Sequence, residues 1–289
     1  MRTVTQIIPS MATSDGAGVK LRRSLGSRQD ARLDPFLMLD EFYSDDPNDY
    51  LAGFPSHPHR GFETVTYMLD GHMRHEDHLG NRGDLKPGDV QWMTAGRGII
   101  HSEMPQQSAG RMRGFQLWIN LPASEKMKPA HYRDIPAREI PTLELPSGAR
   151  IKVIAGSVRL DGQIGTGPIN GPTAALTTNP LYLDCSLPPQ VAVDIPVTDG
   201  HSAFVYPYEG QARIGPAGHT RDLSPGTAGA LSGGSGSVHI QAAAHGARLL
   251  LLAAKPLNEP VVQYGPFVMN TRQEIEQAVE DFRSGRFAA

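Results

Sequence analysis

The chain has 289 residues and a formal net charge of −3, from 27 Lys and Arg against 30 Asp and Glu. Its 31 glycines and 24 prolines, about a fifth of all residues, exclude a helical bundle or a coiled coil. With 39% hydrophobic and 20% charged residues the chain is not disordered, and its mild acidity provides no basic field for nucleic acid.

Taken in chain order, short apolar runs dominate: Thr64–Leu69, Val90–Thr94, Gly114–Leu121, Ile151–Ala155, Ala203–Tyr206 and Leu249–Ala254. Each is bounded by Gly, Pro, Asp or Asn, so they read as strands separated by tight turns in an all-β protein. The stretch Pro122–Pro146 holds five prolines among mixed charges and reads as a connector between domains. One helix is predicted near the end, at about 271–284. Thr271 and Glu274 have capping-box spacing, Ile275, Ala278, Val279 and Phe282 share one face, and Gly285 is the stop. No apolar run approaches the ~20 residues of a membrane helix, and residues 1–20 lack a signal-peptide core. The lone Cys185 can form no intrachain disulfide, which fits a reducing compartment and gives a cytoplasmic location as the expectation.

The sequence repeats itself. YMLDG at 67–71 returns as YPYEG at 206–210, DLKPG at 84–88 as DLSPG at 222–226, and AGRGIIHSE at 95–103 as GGSGSVHIQ at 233–241. The offset is 139 residues at the first pair and 138 at the others. Two tandem copies of one jelly-roll β-barrel follow, placed at 1–135 and 136–289, with the helix ending the second.

Six of the eleven histidines lie between His57 and His101. In HPH at 57–59 and HSE at 101–103, residues two apart on a strand point to the same face. Facing a barrel interior, His57, His59, His101 and Glu103 would converge as three imidazoles and one carboxylate, a donor set for a divalent first-row metal. Four protein ligands on an octahedral ion leave two open positions, the mark of a catalytic rather than a sealed site. Phe54, Met93, Phe115 and Gln116 are candidates for a pocket over the metal, although core packing accounts equally well for the three apolar ones. Arg60 and Glu63 are read as an ion pair at its mouth. His75 and His78 are read as solvent-facing loop positions, with orientation of the ligands as the other reading. His72, His131, His201, His219 and His245 receive no role, and His239 is read as a hydrogen-bonded histidine of the second barrel.

DPFLMLDEF at 34–42, FPSHPHRGFETVTYMLDG at 54–71, DLKPGDVQWMTAGRGIIHSE at 84–103, FQLWINLP at 115–122 and PVVQYGPFVMNT at 260–271 together resemble the pirin family of bicupins. The resemblance spans essentially the whole chain. It implies two cupin barrels, with a metal, usually iron(II), in the first, and carries the ligand roles onto His57, His59, His101 and Glu103. Manganese, nickel, copper, cobalt and zinc suit the same donors. It implies no metal in the second cupin, where the repeat aligns the four ligands with Pro196, Thr198, His239 and Gln241. It also implies a quercetin 2,3-dioxygenase activity that opens a flavonol ring with O2 and releases carbon monoxide; for that reaction Glu103, a carboxylate at the metal, is read as the general base that takes the 3-hydroxyl proton. The other function it implies is a redox-sensitive regulator that binds a protein partner through the same metal. Neither nucleic acid nor membrane is an expected partner.

Overall fold

The computed structural model describes residues 1–169 and 176–287. All six apolar runs coincide with strands, Gly114–Leu121 running one residue past the end of its strand, and among the described residues the α-helix is Arg272–Arg283. No helix of the described residues is long and apolar enough to cross a membrane.

The chain divides into two compact units, and its ends are exchanged between them. Residues 11–23, 36–137 and 257–289 form one unit; residues 1–10, 24–35 and 138–256 form the other. The division expected at 135/136 therefore falls two residues later along the main chain, but it misplaces both termini. Val4–Pro9 pairs with Thr227–Leu231 in the second unit, and the C-terminal helix packs in the first. The Pro122–Pro146 stretch is not a bare connector. His131–Ile135 pairs with Val90–Thr94 in the first unit, and Thr142–Glu144 pairs with Arg150–Lys152 in the second.

In the first unit a four-stranded antiparallel sheet runs in the order Phe54–His59, Ile99–Pro105, Met73–Asp77, Arg82–Leu85. A seven-stranded sheet runs His131–Ile135, Val90–Thr94, Phe62–Asp70, Met112–Asn120, Phe36–Ser44, Val19–Arg23, Met11–Asp15. Phe54–His59 is an edge strand, which explains how it tolerates Pro55 and Pro58: a proline has no N–H to give a central ladder. Alternation along Phe62–Asp70 and Met112–Asn120 sorts their side chains onto two faces. Gln116 lies opposite Thr66 and Trp118 opposite Thr64 on one face; Phe115 lies opposite Tyr67 on the other.

The second unit has a nine-stranded sheet whose long strands Ser202–Ile214 and Gly236–Ala254 carry most of the pairing. Its core is aliphatic, with Val193, Ile195, Val197, Val238, Ile240, Ala242 and Leu249 among its members, and Cys185 is buried in it.

The helix starts as expected: Thr271 accepts from the Glu274 backbone N–H, and the Glu274 carboxylate accepts from the Thr271 backbone N–H. Ile275 and Ala278 are buried against Phe267 and Met269 of the hairpin Val262–Met269, with Val279 packed beside them. Phe282 stays 42% exposed, its ring 5.5 Å from that of Phe287.

Candidate metal centre

His57, His59 and His101 meet in the first unit, each offering a ring nitrogen within 4.8 Å of the others. The edge strand supplies two of them and its neighbour the third, with His101 directly opposite His57 in the ladder. His57 Nδ1 donates to the Pro55 carbonyl at 2.8 Å, which leaves the lone pair on Nε2. That lone pair faces His59 Nε2 at 3.0 Å. On the facing sheet, Phe62 and Trp118 pack on the His59 ring with centroids at 5.1 and 5.3 Å.

His75, set aside in the sequence as a loop position, is fully buried with Nε2 2.7 Å from His101 Nδ1. It sits on Met73–Asp77, opposite Glu103. With Nδ1 engaged, His101 Nε2 is buried without a hydrogen-bond partner. A buried imidazole nitrogen left unpaired is costly, and a cation satisfies it. Burial holds His59 and His101 well below the usual imidazole range, with neighbouring imidazoles adding to the shift, and burial brings His75 down to about 4. These rings are neutral at neutral pH, the form that binds a metal. The donors therefore fit a divalent ion on the ground of their own chemistry.

Glu103 is buried two residues further along the His101 strand, outside the 4.8 Å group. Its carboxylate meets the facing sheet instead. Gln116 Nε2 donates to Oε2 at 3.3 Å, and Thr66 Oγ1 lies 2.9 Å from Oε1. Thr66 Oγ1 is also 2.6 Å from Gln116 Oε1. Burial raises the Glu103 pKa, while the His57 imidazole pulls it the other way.

Of the four pocket candidates, Gln116 hydrogen-bonds within this group. Phe54 is half-buried on the edge strand opposite Glu103 and packs with a cluster that includes Leu21, Phe42 and Tyr50. Met93 is packed among Ala95, Ile99, Ala130 and Tyr132. Phe115 faces away, fully buried with its ring against Tyr67; side chains of consecutive residues on a strand cannot share a face, so Gln116 and Phe115 were never both available. The expected Arg60–Glu63 pair does not form. Arg60 pairs with Asp281, and Glu63 accepts from Trp92 Nε1 and Thr94 Oγ1. His78 is exposed, as the loop reading has it.

The Pirin family pattern matches residues 18–119, and the Pirin C-terminal cupin domain matches 182–288. The chain belongs to the pirin family. A pirin-family relative of Pseudomonas aeruginosa, provisionally named quercetin 2,3-dioxygenase, is 52% identical over 288 residues, covering 99% of this chain and 98% of its own. Human pirin is 41% identical over 290 residues, covering 99% of this chain and 93% of its own. The crystal structure of a quercetin 2,3-dioxygenase from Acinetobacter baumannii superposes with a TM-score of 0.87 at 34% identity, covering 100% of this chain and 99% of that one. Both units of this pirin are accordingly cupins.

The second cupin differs from the repeat-based expectation in a specific way. His239 is not a barrel-interior residue: it is partly exposed, with Nδ1 2.7 Å from Asp194. The buried residues beside it are Val238 and Ile240, which pair with Ile195 and Val193. A shift of one residue between the copies turns the aligned positions to the other face. Pairing as His101 does with His57, the inward positions of the second cupin are Ile240 and Val193, neither of which can ligate a metal.

Proposed function

We propose that this pirin is a metal-dependent dioxygenase acting on a flavonol such as quercetin, with O2 as co-substrate and both oxygen atoms entering the products as the ring opens and carbon monoxide leaves. The observation that carries the reading is the buried, unpartnered His101 Nε2 grouped with the ring nitrogens of His57 and His59. His57, His59 and His101 would hold the ion, with Glu103 as the fourth ligand. Iron(II) is the proposed native metal. The bound ion would acidify a coordinated hydroxyl and hold the two substrates together.

The chain's own residues prepare the proton transfer. The carboxylate of Glu103 takes the proton of the flavonol 3-hydroxyl, and burial makes it a stronger base than a solvated carboxylate. A hydroxyl carries one proton. When Thr66 donates to Gln116 Oε1, its oxygen is free to accept from a protonated Glu103 Oε1, so the pair can store the proton taken from substrate. Gln116 Nε2 steadies the other carboxylate oxygen throughout. Phe62 and Trp118 exclude water from the His59 side. The buried, unpaired Cys185 supports a reducing, cytoplasmic setting.

The test is metal analysis of the freshly purified protein followed by oxygen uptake and carbon monoxide release with quercetin. Uptake that scales with iron content and vanishes in His59→Ala supports the reading. A fully iron-loaded protein that consumes no oxygen with quercetin sinks it.

A further inference from the structure

Arg60 follows directly after His59, and its side chain leaves the strand on the side away from the histidines. Every polar group of the residue, backbone and side chain, meets a named partner. Its backbone N–H donates to the Pro266 carbonyl at 3.3 Å, and its carbonyl accepts from Val268 N–H at 3.0 Å. Its guanidinium is buried, with Nη1 2.7 Å from Asp281 Oδ2 on the C-terminal helix, Nη2 donating to the Phe287 carbonyl at 3.2 Å and Nε donating to the Arg97 carbonyl. The Phe287 ring lies under it, 4.4 Å away.

The neighbours close the same joint. A Cβ on Gly61 would strike the Val268 carbonyl, and one on Gly98 would strike the Phe287 carbonyl, so the backbones approach as only glycine permits. Lys126 Nζ is buried between the Gly61 and Val268 carbonyls at 2.7 and 3.0 Å, with Asn120 Oδ1 at 2.6 Å. The strand that carries His57 and His59 needs such support, because as an edge strand with two prolines it has one ladder partner and few bonds to it.

We propose that Arg60 is a positioning residue of the metal centre: with Asp281 and Phe287 it fixes the backbone from which His59 projects, making residues 260–287 part of the site. The proposal rests on His57, His59 and His101 being metal ligands. An arginine suits the task because its planar fork serves three partners in three directions, which a lysine ammonium on one flexible stem cannot do. Ligand geometry must be held to within ~0.5 Å for full affinity, and groups behind the ligands provide that precision.

Cobalt(II) is the probe, since its visible absorption reports ligand geometry. Full-length wild type, Arg60→Gln, Arg60→Lys and Asp281→Asn are titrated with cobalt(II), recording the dissociation constant and the band positions. The expected result is a loss of at least ~10-fold in affinity with shifted bands for Arg60→Gln, a smaller change of the same kind for Asp281→Asn, and partial recovery in Arg60→Lys. Should Arg60→Gln fail to fold, Asp281→Asn and Arg60→Lys decide the matter, because Asp281 is near the surface. Wild-type affinity and bands in those two variants overturn the proposal. A wild-type protein that binds no cobalt overturns the metal reading beneath it, an outcome separable from the first because it shows before any variant is made.

Discussion

His75 Nε2 lies 2.7 Å from His101 Nδ1, and both rings are buried. The contact fixes which nitrogen of His101 is left over, because an imidazole engaged at Nδ1 presents Nε2. Replacing His75 by Phe is expected to weaken metal binding ~10- to 100-fold. His75→Gln, which retains a polar group at that point, should lose less. Calorimetric titration with nickel(II) checks both, and equal affinity in His75→Phe and wild type would mean that the contact does not orient the ligand.

The carboxylate network separates binding from turnover. Glu103→Gln is expected to lower the rate of oxygen uptake with quercetin by ~10²- to 10⁴-fold, the usual worth of a general base. Thr66→Val should give a smaller loss, since it removes only the hydroxyl beside Glu103 Oε1. Rates are compared per bound metal, so that a loss of metal is not mistaken for a loss of base. A Glu103→Gln variant that turns over at the wild-type rate would assign the proton to another acceptor.

Metal removal should show in stability. A ligand at 100 times its dissociation constant adds about 2.7 kcal/mol to the folded state. For a domain of this size that is roughly 5–10 °C in Tm. Calorimetric scans before and after chelation are expected to differ by this much in wild type and not at all in His59→Ala.

The second cupin should be indifferent to metal chemistry and sensitive to volume. Ile240→Ala removes buried methyl groups from an aliphatic core and is expected to cost about 2–5 kcal/mol. Denaturant melts read that loss, and cobalt(II) titration of the same variant should return the wild-type affinity.

Acid sensitivity follows from His201 in the second unit. Burial first, and then Arg2 and Lys255, lower its pKa, so the folded state refuses a proton that the unfolded chain accepts. The unfolded chain thus binds more protons below pH ~6.5, and stability falls as pH drops from that value toward the lowered folded pKa. His201→Asn should flatten the fall on the acid side of pH ~6.5. Urea melts across that range check it; an unchanged slope would place the acid sensitivity elsewhere.

The sequence made part of this legible and hid part, for physical reasons. His57, His59 and His101 are visible because a period of two, in HPH and in HSE, is the signature of one strand face. His75 was hidden because HMRHED reads as polar surface; its strand is central, and Met73 and His75 take the inner face while Arg74 and Glu76 lie on the other. The repeat locates the second barrel through its Pro-Gly turns, but turns tolerate a one-residue slip that strand faces do not, so His239 aligns with His101 in sequence and points elsewhere. Arg60 and Asp281 are 221 residues apart, and no local pattern reports a contact over that distance.

That separation has a consequence for how the protein is made. At about 5–20 residues per second a ribosome takes roughly 10–45 s to travel from Arg60 to Asp281. For all of that time the histidine strand exists without its anchor, while the whole main body of the other barrel is being synthesised. The barrel that carries the histidines is completed only by the last residues of the chain, and an ion that reaches the histidines early meets a strand whose clamp has yet to be translated.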